Sequence, residues 1–351
     1  MKLDYFKSLN GLRTIAALMV IVAHFFSLEN SFNSALFYKI AKFGSSGVSL
    51  FFVLSGFVIT RILLNSVNSN NYFKAFYIRR TVRIFPLYYL ALICYYYLPQ
   101  VLSLLYQFST SFNQQIYYFT YLQNFARTFN WNSSGPIHFW TLSVEEHFYL
   151  LWPAIVYFGY RFKQNWLLYI SSLLILLPLL LRFYMLSSGY VIEFFTFTRL
   201  DQLALGGVLA ILERKKMLNR KHKNAYIIST VAGTVFFILC SFFNDFYQDL
   251  FKHSALGMFY FGIIGLCVIY EHKGFATKFL KLPVMQYLGT VSYGIYVWHA
   301  LSIDIVNNYF ITNWILLNFI LVVSLTVIIS SMSYWFVEKP FLNLKRFFSY
   351  G

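Results

Sequence analysis

Along most of the 351 residues, polar positions are too sparse to give the outer face of a soluble helix or strand. Apolar runs of about 20 residues follow one another, each long enough to cross a bilayer core of about 30 Å. They predict spans at roughly 10–28, 46–64, 84–104, 139–160, 165–187, 198–213, 225–243, 255–271, 284–307 and 314–337. The pattern is that of an all-α polytopic membrane protein. It predicts a bundle of about ten transmembrane helices in a single domain over residues 1–351, with no appended soluble domain. The opening "MKLDYFKSLNGLR" resembles the charged start of a signal peptide, but no small-residue cleavage site follows, so the first run is expected to stay as a helix. A longer outer segment, about 105–138, carries "FNQQIYYFTYLQNFA" and is expected in the interface or as a re-entrant piece.

Composition agrees: 59% of residues are hydrophobic and 11% charged, where soluble domains run near ~25% charged. The net charge of +16 would suggest nucleic acid in a soluble protein. Here it reads as basic residues retained on the cytoplasmic side, with no nucleic-acid partner. With the N-terminus inside, 22 of the 28 Lys and Arg, Lys2 and Lys163 among them, fall in cytoplasmic segments. Outer loops hold only Lys39, Lys42, Arg127 and Lys252, while Arg182 and Arg199 stand at helix ends. Both termini are therefore expected in the cytoplasm. Cys94, Cys240 and Cys267 lie singly in apolar runs and suggest neither a disulfide framework nor a metal site.

Ionisable side chains at membrane depth are costly, so each marks a candidate site or a buried pair. At about 1.5 Å per residue, His24 lies roughly 9 Å below the outer boundary of a straight first span. Glu145 in "HFWTLSVEEHFYLLWP" and His299 in "LGTVSYGIYVWHA" come out at a similar depth, and Asp201 in "TRLDQLALGG" slightly shallower. Arg13 stands about three helical turns below His24 on nearly the same face. Arg79, Arg80 and Arg83 in "YIRRTVRIFPLYYL", a loop ahead of a third span with Pro86 in its first turn, add to a basic inner mouth. Arginines there suit bidentate bonds to a polyphosphate. The layout suggests an anionic ligand held inside with chemistry nearer the outside.

At these residues the chain resembles the acyltransferase-3 family, membrane O-acyltransferases of bacterial surface glycans. The matching pieces are Arg13 and His24, "FFVLSGFVIT", Arg80 and Arg83 running into "RIFPLYY", then "HFWTLSVEEHFYLLWP", "RLDQLALGGVLA", "LGTVSYGIYVWHA" and "YWFVEKPF". The resemblance implies an inner-membrane enzyme taking an acyl group, most often acetyl, from cytoplasmic acyl-CoA. The acceptor would be a sugar hydroxyl of a surface polysaccharide, lipopolysaccharide or lipid-linked precursor, with glycan-assembly proteins as further partners. No permanently bound cofactor is implied. Arg13 and His24 would be the essential pair of the first span, and Arg80 and Arg83 would serve the acyl donor. Position 147 is His where the family usually has Gln.

A sugar hydroxyl needs a base aligned with its proton. His24 is expected to take that proton, with Glu145 or Glu146 orienting the imidazole; direct transfer and an acyl-histidine intermediate both remain open. The two glutamates are about 100° apart on a helix, so one is expected to face the site and the other a structural partner. His147 falls on the opposite side, as an interhelical contact. Arg199 and Asp201 are expected to pair at a helix end. Ser55, Trp140, Asp201 and His299 are candidate cavity-lining residues. No metal is expected, because the histidines lie on different helices without ligand spacing. A transporter or flippase is the competing class.

Overall fold

The computed structural model describes residues 5–28, 43–104, 107–109, 111–162, 165–348 and 350, and these are helical with no strand. Lys2, Lys39, Lys42 and Lys163 lie outside the described residues. The first helices are α1 (Lys7–Leu28), α2 (Gly47–Ser66), entered through the 3-10 turn Gly44–Ser46, and α3 (Tyr72–Val101). Two short helices follow, α4 (Phe112–Phe119) and α5 (Gln123–Thr128). The bundle continues with α6 (Trp140–Phe162), α7 (Trp166–Ser187), α8 (Leu200–Arg214), α9 (Lys223–Cys240) and α10 (Asp245–Ile269). It closes with α11 (Phe275–Leu280), α12 (Pro283–Thr290), α13 (Ser292–Tyr309), α14 (Ile315–Ser333), the π-turn Tyr334–Glu338 and α15 (Lys339–Asn343).

Among the described residues, seven helical stretches are long and apolar enough to cross a membrane. Each of the ten predicted spans coincides with a helix, or with two consecutive ones in the case of α12 and α13. The segments below that measure are α6, α8 and α12–α13, which carry Glu145 and Glu146, Asp201, and His299. α8 and α12 are too short for it, at 15 and 8 residues. The apolar faces of α7, α9 and α14, with Leu180, Ile228 and Leu316 exposed, are surfaces suited to lipid. The chain is a multi-pass membrane protein.

Two local devices position the central helices. Glycines let α2 and α8 cross in backbone contact: a Cβ on Gly56 would fall 1.9 Å from the Leu203 carbonyl oxygen, and one on Gly206 2.1 Å from that of Val53. The N-terminus of α1, which has no acidic residue of its own, is capped from afar. The Glu271 carboxylate accepts from the Lys7 amide at 2.9 Å and from the Ser8 amide and hydroxyl, and Lys281 Nζ holds it at 3.0 Å. An anion there completes orphan amides and favours the helix dipole.

The third span differs from the expectation. α3 starts at Tyr72, so Arg79, Arg80 and Arg83 are on the helix and Pro86 is in its interior. Its 30 residues reach about 45 Å, more than a core of about 30 Å. The outer segment is packed rather than lying flat. Tyr88 and Tyr96 of α3 donate to the carbonyls of Tyr118 (2.7 Å) and Ser134 (2.8 Å), and Gln123 donates to that of Phe139 at 3.0 Å.

Candidate functional site

A cavity of about 110 Å³ opens between α1, α2, α3, α6 and α13. One wall is basic: Arg13 from α1, and Arg80 and Arg83 one turn apart on α3. Facing it from α6 are Glu145 and Glu146. Three guanidiniums against two carboxylates leave an excess of positive charge in a space whose other walls include apolar Val48, Phe51 and Leu54 and the hydroxyls of Ser55 and Tyr149. Such a site favours an anionic ligand with an apolar arm.

Both glutamates line this space, which corrects the expectation that only one would face the site. Their 100° offset sets them on adjacent walls of a cavity that wraps the flank of α6. Glu145 Oε2 accepts from the Tyr149 hydroxyl at 3.1 Å, and that hydroxyl meets Ser55 Oγ at 2.5 Å. The Arg80 guanidinium stands 5.2 Å over the Tyr149 ring. Glu146 Oε1 is buried with no hydrogen-bond partner.

His24 is one layer further out. The cavity ends at Thr141 and Tyr296, whose hydroxyls bond at 2.5 Å, and Tyr296 also donates to the His138 carbonyl at 2.6 Å. Behind Tyr296 lie three imidazoles. His24 Nδ1 is 2.6 Å from His299 Nε2, and the His138 ring is 4.7 Å from His299 and 6.4 Å from His24, centroid to centroid. No such cluster of three His, Cys, Asp or Glu has a metal-holding arrangement among the described residues. The expected pairing of His24 with Glu145 or Glu146 is therefore replaced: its partner is His299. The carboxylates line the cavity on the other side of Tyr296, where Glu145 is held by Tyr149.

Of the four candidate lining residues only Ser55 lines this cavity. His299 is behind Tyr296, and Trp140 packs edge-on to Phe52 and Phe194 beneath Arg199. Asp201 is fully buried and pairs with Arg182 at 2.6 Å, not with Arg199. α7 packs along α8 and delivers that guanidinium, while Arg199 turns away to His253 and Glu193. His147 bonds Thr196 Oγ1 at 2.7 Å, the interhelical contact expected of it. Arg61 pairs with Glu213, and Arg79 donates to the carbonyls of Lys345 (3.2 Å) and Phe348 (3.1 Å). Sequence reasoning missed Tyr149, Tyr296, Thr141 and His138. Two had a signal: Tyr149 is four residues after Glu145, and Tyr296 three before His299, both on a shared helical face.

A multi-pass helical bundle with a buried basic cavity beside a histidine cluster defines the class. A family model described as an acyltransferase domain, the third acyltransferase family, matches residues 6–335, and the chain belongs to that family. Over 96% of its length it is 29% identical to peptidoglycan O-acetyltransferase OatA of Listeria monocytogenes, covering 56% of that protein. It is 30% identical to YrhL of Bacillus subtilis, provisionally named a peptidoglycan O-acetyltransferase, over 96% of this chain and 55% of that one. A Staphylococcus aureus protein provisionally named an O-acetyltransferase is 28% identical over 97% of the chain and 58% of its own. The chain thus spans little more than half the length of these relatives. No solved structure matches it.

Proposed function

We propose that the protein is an inner-membrane O-acyltransferase that moves an acetyl group from cytoplasmic acetyl-CoA to a sugar hydroxyl of a cell-wall glycan of the peptidoglycan class. The ten helical segments would all be spans, with both termini cytoplasmic, because that orientation leaves 22 of 28 basic residues inside. The observation that carries the reading is the junction of two sites on α1: Arg13 in a basic cavity and His24 behind its Tyr296 wall.

In this reading Arg80 and Arg83 hold phosphate groups of the donor, and Arg13 draws its acyl arm into the cavity. The thioester reaches the Tyr296 end, and the acceptor enters from the far side toward the partly exposed His24. His24 takes the hydroxyl proton as the oxygen attacks the thioester carbon; the C–O bond forms and the C–S bond breaks. The proton then passes from the imidazolium to the leaving sulfur, so CoA departs as the thiol. The choice of acetyl and of a peptidoglycan acceptor follows the relatives' names, and that of CoA as its carrier rests on the basic cavity.

The test uses protein reconstituted in vesicles with radiolabelled acetyl-CoA and peptidoglycan fragments. Label on the glycan that disappears in His24→Ala is expected. Full transfer by properly inserted His24→Ala overturns the base assignment, and glycan movement without label would place the protein among flippases.

A further inference from the structure

The hydrogen bond between His24 and His299 has a direction that the surrounding atoms decide. His299 Nδ1 is 2.6 Å from the Tyr296 carbonyl oxygen. A carbonyl only accepts, so Nδ1 carries the hydrogen. His299 is fully buried, and its bonds run to a carbonyl and an imidazole, with no carboxylate among them. A charge there would be uncompensated, which keeps the ring neutral and leaves Nε2 as a bare lone pair. That lone pair faces His24 Nδ1 at 2.6 Å, so His24 Nδ1 must donate.

Ring geometry agrees. The centroids are 4.9 Å apart with planes 8° from parallel. In a face-to-face stack two nitrogens could not approach to 2.6 Å without the rings interpenetrating, so the imidazoles meet edge to edge, in nearly one plane. The in-plane lone pair of one points at the N–H of the other. His138 is turned elsewhere: its Nε2 is 3.2 Å from the Val297 carbonyl and so is a donor, not a competitor for His24.

We propose that His299 is a positioning residue that holds His24 as the Nδ1–H tautomer, leaving His24 Nε2 free to take the acceptor's proton. This rests on the reading of His24 as the base. When His24 becomes an imidazolium, its Nδ1–H···Nε2 bond to His299 becomes charge-assisted and stabilises it. The role is the one a carboxylate plays in a serine-hydrolase triad. An imidazole fills it without burying a second charge at membrane depth, and the short α13 turn from Tyr296 to His299 supplies the carbonyl that fixes the relay.

The test compares His299→Gln, whose Oε1 can accept from His24, with His299→Leu, which has similar bulk and no acceptor. In the vesicle assay His299→Leu is expected to lower kcat on the order of 10²–10³-fold, with KM for acetyl-CoA within about twofold. His299→Gln is expected to recover kcat to within about tenfold of the parent. Equal losses in both variants with a lowered Tm would make His299 a packing residue and overturn the proposal, as would parental kcat in His299→Leu. Activity retained in His24→Ala would instead overturn the reading of His24 as the base. Independently of any acceptor, 15N spectra of histidine-labelled protein, with the His24 signals assigned by their loss in His24→Ala, should show a protonated Nδ1 and a bare Nε2. The opposite tautomer sinks the proposal.

Discussion

Ser55 and Tyr149 share a hydroxyl–hydroxyl bond of 2.5 Å, and the same Tyr149 oxygen reaches Glu145 Oε2 at 3.1 Å. Tyr149 is the hinge of this group, since it joins α2 to α6 and sits under Arg80. Tyr149→Phe removes one hydroxyl donor from a buried carboxylate, a loss of about 1–3 kcal/mol. We expect turnover to fall by about tenfold to a hundredfold. Ser55→Ala should cost less, because Tyr149 keeps its bond to Glu145. Steady-state kinetics of the two variants decide it, and a larger loss in Ser55→Ala would point to a covalent role for that serine.

The arginines of α3 divide by what they touch. Arg80 and Arg83 line the cavity, whereas Arg79 holds the carbonyls of Lys345 and Phe348. Arg80→Lys and Arg83→Lys keep the charge but lose the planar fork. Each is expected to raise KM for acetyl-CoA about tenfold, equivalent to ~1.4 kcal/mol. Arg79→Lys should change KM by less than about threefold. An unchanged KM in all three would reduce them to membrane anchors.

The Arg182–Asp201 pair is fully buried and further tied by Ser254, which donates to Asp201 Oδ2 at 2.8 Å. Asp201→Ala strands a guanidinium in the bundle and should destabilise by about 3–5 kcal/mol. Replacing both partners at once, Arg182→Met with Asp201→Leu, should restore much of that. Thermal unfolding in detergent is the readout; a parental Tm for Asp201→Ala would contradict the pair's structural role.

Gly56→Ala and Gly206→Ala each place a methyl against a backbone carbonyl of the facing helix and should cost on the order of 1–3 kcal/mol. Because they act on one crossing, the double variant should lose less than their sum. Gly159→Ala is the control, since its Cβ would meet Leu167 at an ordinary 3.4 Å. Additive losses, or equal losses in the control, would mean that the α2–α8 contact is not the limit.

Much of the bundle was legible in advance. Apolar run length located every long helix, because backbone groups in lipid have to be satisfied within the segment. Depth arithmetic put His24 and His299 at one level, and they meet. Glu145, given the same depth, is instead one layer inward with Tyr149. The position of Pro86 misled because the aromatic and basic turns before it look like a loop, yet they are helical.

What the sequence by itself determined is where the long apolar helices run, and on which face of its own helix each polar side chain lies. The tertiary structure alone decided the partners: Asp201 with Arg182 instead of Arg199, and His24 with His299 instead of a glutamate. Periodicity is a property of one helix, while a partner depends on which neighbour packs alongside and how it is rotated. That is settled by close fits such as Gly56 on Leu203, which no single helix contains.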